Sequence, residues 1–268
     1  MHPTTRLSSL VSHFSTSLVS HFSTMSRKPV AIIAGVGPGT GAAIARKFAA
    51  AYDVALLSRN PDTYTPIVDA INQSGGKAIG ISTDVSDSKS VKLMVEKVKQ
   101  EYGNDVTVAA AIFNASGAFV RKPFLDLTEE VLDASYAGSV KGSFLFSQAT
   151  LPLLLYSIPT SEHPPSLIFT GATASVKGSA LFAAFATMKF ALRAQAQSLA
   201  REFGPKGVHV AHAVIDGVID IPKTQAWGLA KEAMIDPNAI ADAYWHLHTQ
   251  PKTSFTWEID IRPAGEKW

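Results

Sequence analysis

The chain has 268 residues, 46% of them hydrophobic, with 24 basic and 22 acidic side chains for a net charge of +2. That length and balance fit one α/β domain, and the scattered basic residues give no footprint for nucleic acid. There is no cysteine, which excludes disulfides, thiol catalysis and cysteine-ligated zinc, and no apolar run is long enough for a membrane helix.

Residues 1–24 differ from the rest: Ser9 to Thr16 and Ser17 to Thr24 are the same octamer in tandem. The segment is rich in serine and threonine, lacks acids and holds Arg6 as its only basic residue apart from histidine. It reads as a disordered extension ahead of a domain spanning 25–268. The alternative is a mitochondrial presequence, and without that role the expected location is cytoplasmic. Val30 to Ala34 is then a short, uncharged run suited to a buried parallel strand. Gly35, Gly37, Gly39 and Gly41 follow, and Ile44, Ala45, Phe48 and Ala49 recur at helical spacing. A glycine turn that opens a helix offers free N–H groups at a positive helix end, where phosphate can sit. Pro38, which has no N–H, removes one such donor.

The spacing of Gly35, Gly39 and Gly41 resembles that of the short-chain dehydrogenase/reductases, and the resemblance extends from Val30 to about Pro263. It implies a Rossmann fold: one domain with a doubly wound parallel sheet, helices on both faces and the cofactor at the carboxyl ends of the strands. The second strand, Asp53 to Ser58, ends in Ser58-Arg59-Asn60, where an acid would accept the ribose 2′-hydroxyl of NAD. A guanidinium at that point pairs with a 2′-phosphate, which favours NADP(H) over NAD(H). A helix from Thr65 to Gln73 and a strand from Ala78 to Ser82 lead to Thr83-Asp84-Val85. The resemblance puts Asp84 and Val85 beside the adenine, while Asp84 and Asp87 also suit the start of the next helix.

A strand from Val106 to Phe113 runs into Asn114-Ala115-Ser116-Gly117, which resembles the family's Asn-Asn-Ala-Gly turn, with Phe113 for the first Asn and Ser116 for the Gly. Asn114 and Ala115 would line the cofactor ribose, and Gly117 would supply the turn's flexibility. The family's tetrad is Asn, Ser, Tyr and Lys. Here Ser139, in a long apolar helix, stands for the Asn, Ala172 for the Ser and Phe185 for the Tyr, and Lys189 alone is retained. The resemblance gives Lys189 a cofactor role, hydrogen bonding the nicotinamide ribose. Phenylalanine has no proton to give, so Lys189, Thr173, Ser175, Asp216 or water is left as the source.

Asp216-Gly217 replaces a Pro-Gly turn, and 221–237, with Trp227 and Met234, reads as a flap over an apolar substrate or as residues packed on their own core. A helix from Ala239 to His248 and a strand from Ser254 to Ile261 complete seven strands, an end that commonly supplies homodimer or homotetramer contacts in the family. His246 and His248, two apart on a helix, cannot face one metal, and no metal is expected. Two functions follow. One is an NADP(H)-dependent oxidoreductase acting on a small carbonyl, enone or imine. The other is a dinucleotide-binding pseudoenzyme that senses or scaffolds.

Overall fold

The structure, a computed structural model, describes residues 28–266, so the repeated extension and the start of its following domain at Met25 lie outside the described residues. The elements alternate. β1 (Val30–Ala34), α1 (Thr40–Ala49), β2 (Asp53–Ser58), α2 (Pro61–Gln73), β3 (Ala78–Ser82), α3 (Ser88–Tyr102) and β4 (Val108–Phe113) form the first half. α4 (Glu129–Tyr136) continues through a π-helical turn at Ala137–Lys141 into α5 (Gly142–Ser157). β5 (Ser166–Thr170), α6 (Ala183–Phe203), β6 (His209–Ile215), β7 (Val218–Ile219), α7 (Pro222–Gln225), β8 (Met234–Ile235), α8 (Pro237–His248) and β9 (Glu258–Ile261) complete the chain.

Seven strands pair in parallel in the order β3-β2-β1-β4-β5-β6-β9. The order reverses between β1 and β4, and a crevice opens at the carboxyl ends of strands at such a switch point. Alternation along β1 divides the core. Ala31 and Ile33 pack with Ile44 and Phe48 of α1 and Tyr244 of α8, whereas Val30, Ile32 and Ala34 pack with Met94 of α3, Phe146 of α5 and Leu192 of α6. The expected doubly wound sheet is thereby present. No helix among the described residues is long and apolar enough to cross a membrane.

Several boundaries differ from those read in the sequence. α2 starts at Pro61 rather than Thr65, because Asn60 caps it by accepting the N–H of Asp62 and Pro61 suits the first turn. β4 begins at Val108, after Val106 has closed a turn on Gly103. β9 begins at Glu258 rather than Ser254, since Ser254 is spent on a turn to Pro251. The stretch from Ile221 to Pro237 has structure of its own, with α7 and with β8, which pairs back to β7 just ahead of it.

Candidate active site

Gly35 follows β1 with φ +86°, and a Cβ there would lie 2.4 Å from the Ala115 nitrogen. Only glycine both tolerates that backbone and lets the two turns touch. A Cβ on Gly41 would meet the Gly35 carbonyl at 2.6 Å, and one on Gly39 would meet Ile221 Cγ2 at 2.6 Å, whereas Gly37 faces open space. So backbone packing requires Gly35 and Gly41, while Gly39 meets only the Ile221 side chain. α1 starts without a side-chain cap and without an acid in its first turn. Its positive end is therefore left for an anion.

Beside this turn opens a cavity of about 550 Å³ whose walls include Gly35, Ser58, Arg59, Asp84, Val85, Asn114 and Ala115. The structure thus brings together seven of the eleven residues read as cofactor-binding. Arg59 is exposed at its rim. Asp84 Oδ1 accepts the Ser86 N–H at 2.9 Å and the Ser86 hydroxyl at 2.7 Å. The Ser86 hydroxyl, opposed by burial and aided by the Arg59 and Lys141 charges, holds the Asp84 carboxyl below its ordinary range. Asn60 stands apart from the cavity wall, its side chain engaged as the α2 cap. The cavity's remaining wall includes Ala134, Ala137 and Gly138. The sequence reading passed over these three, though small residues three and four apart on one helical face were a usable signal.

The Asn114 side chain is fixed within a chain of three hydrogen bonds, two of them its own. Tyr244 donates to Thr170 Oγ1 at 2.8 Å, Thr170 donates to Asn114 Oδ1 at 3.0 Å, and Asn114 Nδ2 donates to the Gly35 carbonyl at 2.8 Å. Gly117 contributes room rather than the expected flexibility. Its φ is not left-handed, but a Cβ would lie 2.6 Å from the Ser135 carbonyl. The Gly117 N–H donates to Ser139 Oγ at 2.9 Å, and Ser139 sits in the π-helical turn that interrupts the expected long helix.

On α6, Lys189 is 4% exposed and donates from Nζ to the Thr170 carbonyl at 3.0 Å. Burial lowers its pKa to about 8. Phe185, one turn earlier on α6, lies with its ring centroid 5.8 Å from that ammonium. It also packs edge-on against Phe119 at 5.2 Å, and Phe119 meets Phe182 at 5.5 Å. Ala172 precedes a 3₁₀ turn (Thr173–Ser175) in which buried Ser175 accepts the Ala172 N–H. Thr173 donates to Asp216 Oδ1 at 2.5 Å, and Asp216 Oδ2 pairs with Arg262 at 3.0 Å. Lys189, Ala172 and Phe185 do not line the 550 Å³ cavity, and neither does Ser139. His248 is buried between Tyr52 and Ser166, while His246 lies 3.2 Å from the Gln250 amide, so the two point to separate partners.

The short chain dehydrogenase family model matches residues 29–231. The protein belongs to the short-chain dehydrogenase/reductase family. As a family member it is 34% identical over 203 residues to a short-chain dehydrogenase/reductase of Armillaria gallica, covering 74% of each chain. A short-chain dehydrogenase from Rhodopseudomonas palustris superposes with a TM-score of 0.71 at 36% identity, covering 88% of this chain and 98% of that one. An alcohol dehydrogenase from the archaeon Thermococcus sibiricus, crystallised with 5-hydroxy-NADP, gives a TM-score of 0.77 at 25% identity and covers 89% and 98%. The family assignment makes the protein an oxidoreductase by kinship.

Proposed function

We propose that this short-chain dehydrogenase/reductase binds NADP(H) and acts on a small, apolar carbonyl, enone or imine compound, in a subgroup where Phe185 replaces the proton-giving tyrosine. The observation that supports this most is the cavity beside the glycine turn, which carries Gly35, Arg59, Asp84 and Asn114, with the buried Lys189 outside its wall but bonded to Thr170, the residue that also holds Asn114. The fit of the cofactor rests on two features. Gly35 leaves no room for a Cβ, so backbone alone forms that wall, and α1 presents an uncapped, acid-free amino end to the pyrophosphate.

When bound, the nicotinamide would supply or accept the hydride. The chain's own residues bind and orient it. Arg59 would pair with the 2′-phosphate, and Asp84 and Val85 would flank the adenine. Asn114, held by Thr170 and Gly35, would keep the turn at Ala115 in register beside the ribose. Lys189 has one N–H engaged by the Thr170 carbonyl and two left for the nicotinamide ribose. The T. sibiricus enzyme and its bound 5-hydroxy-NADP support the choice of cofactor. The phenylalanines at 119, 182 and 185 support an apolar substrate. General acid help is worth about 10²- to 10⁴-fold in rate, so a site without its tyrosine favours reactive substrates over simple ketones.

A pseudoenzyme that holds dinucleotide is the second reading, supported by the absence of an ionisable group at Ala172 and Phe185. The test is a screen of aldehydes, enones and imines for oxidation of NADPH by the purified protein, with Phe185→Tyr in parallel. Turnover of any of these by the wild type supports the oxidoreductase. NADPH binding with no turnover across the screen leaves the second reading.

A further inference from the structure

Thr170, the last residue of β5, is bonded to helices from both layers. Its hydroxyl receives the O–H of Tyr244, which packs with α1 on one side of the sheet. Its carbonyl receives the Lys189 ammonium from α6, whose Leu192 packs on the other side. The hydroxyl also donates to Asn114, just past the end of β4 and in the wall of the cavity. The Asn114 main chain is tied down as well, its N–H donating to the Ala34 carbonyl at 2.9 Å.

One atom fixes the sense of every side-chain bond in this series. The Gly35 carbonyl can only accept, so it takes an N–H of the Asn114 amide and turns Oδ1 of that amide toward Thr170. Oδ1 also can only accept, so it takes the single proton of the Thr170 hydroxyl. Thr170 is left with lone pairs, and the Tyr244 hydroxyl donates to one of them. Tyr244 is fully buried, and burial raises its phenol above the usual range, so its proton stays on. A phenylalanine at 244 and a valine at 170 would fill nearly the same space with no polar atom to satisfy. What the two hydroxyls add is direction, because a buried polar chain with every member paired specifies one arrangement. Its far end is the turn where a Cβ on Gly35 would meet the Ala115 nitrogen, so moving Asn114 moves the cavity wall.

We propose that Thr170 and Tyr244 are positioning residues of the dinucleotide site: they hold the Asn114 amide against the Gly35 carbonyl and so fix the wall that the cofactor meets. The proposal rests on the reading of that cavity as a nicotinamide dinucleotide site. Neither side chain lines the cavity, so both act through Asn114. Lys189 is held by the main chain of Thr170, and a change of the Thr170 side chain leaves that bond in place. The two functions of this residue, one for Asn114 and one for Lys189, are therefore separable by substitution.

The test is a double-variant cycle on NADPH affinity, read by fluorescence titration on both sides of about pH 8, where Lys189 titrates, with urea unfolding of each variant measured separately. Thr170→Val should weaken NADPH binding by about tenfold, the scale of one lost hydrogen bond whose acceptor is left facing a methyl group. The factor should be the same on both sides of that pH, because Lys189 keeps its carbonyl. Thr170→Ser, which restores the hydroxyl, should return binding to within about twofold of the wild type. In an Asn114→Ala background, Thr170→Val should cost no further affinity. Tyr244→Phe, the milder change, should weaken binding by about threefold and lose that effect without Asn114, and it carries the test if Thr170→Val does not fold. Three results overturn the positioning role alone: NADPH affinity unchanged in the folded variant, a loss that serine does not repair, or an effect that persists in full without Asn114. A wild type that fails to bind NADPH overturns the dinucleotide reading and the proposal with it.

Discussion

Ile221 rests directly on Gly39: a Cβ on the glycine would lie 2.6 Å from the isoleucine Cγ2. The turn that opens α1 and the segment that follows β7 are thus one surface, and a cofactor phosphate beside the turn would lie next to that segment. Gly39→Ala should push Ile221 away, since the obstacle is the far end of a side chain and not backbone. The expected results are faster proteolysis within 221–236, weaker NADPH binding, and a stability loss of about 1–3 kcal/mol. Ile221→Ala in the same chain makes room for the methyl and should restore stability. A double variant no better than Gly39→Ala would show that the contact is not the cause.

Lys189 is the buried ammonium of the site, with its pKa lowered to about 8 by loss of hydration. It carries its charge below that pH and loses it above. If its N–H groups hold the nicotinamide ribose, NADPH affinity should fall as pH rises through about 8, with a slope of one proton. Lys189→Arg should remove this alkaline limb, because a guanidinium stays charged. Lys189→Met should bind weakly at every pH. Fluorescence titrations across pH separate the three.

The histidines of the core set the acid limit of the fold. His248 has one ring nitrogen 2.7 Å from the Tyr52 hydroxyl and the other 2.8 Å from the Ser166 hydroxyl. Burial, with help from His163 and His209, lowers its pKa to about 3. Burial outweighs the Glu258 contact at His212, whose pKa falls to about 4. The unfolded chain therefore takes up these protons first, below its pKa of 6.5. Stability is complete above pH 6.5 and lost as pH falls toward 4, by up to about 1.4 kcal/mol per pH unit for each histidine. Urea unfolding across that range should show the slope, and His248→Phe should reduce it. A slope unchanged by the substitution would exclude His248 as its source.

The order of the main strands and helices was legible because each buried strand is a short apolar run bounded by turns, and amphipathic helices show a stripe, as Val91, Met94 and Val98 do on α3. Gly35 and Arg59 were legible from the strand ends they follow, since a parallel sheet carries those ends to one crevice, while Asp84 and Asn114 were legible only through the resemblance to the family. The Tyr244 to Thr170 to Asn114 chain of hydrogen bonds was not legible, because it joins residues 74 and 56 positions apart that share no local pattern. The Thr173–Asp216 bond was hidden for the same reason: both residues were named as proton sources, but their pairing across β5 and β6 depends on strand order. Gly117 was read for flexibility when it is small for packing, a distinction that only the neighbouring Ser135 carbonyl decides.

The dinucleotide reading is tested most directly at Arg59, which is exposed on the cavity rim and near enough to act on the charge of Asp84. Fluorescence titration with NADPH and with NADH, on the wild type and on Arg59→Asp, separates the phosphate contact from the rest of the crevice. The expected result is NADPH preferred by roughly tenfold or more in the wild type, the scale of a charge-assisted hydrogen bond, with that preference abolished or reversed by Arg59→Asp. Equal affinity for the two cofactors, or a preference unchanged by Arg59→Asp, would contradict the role of Arg59. A wild type that binds neither would contradict the whole reading of the crevice.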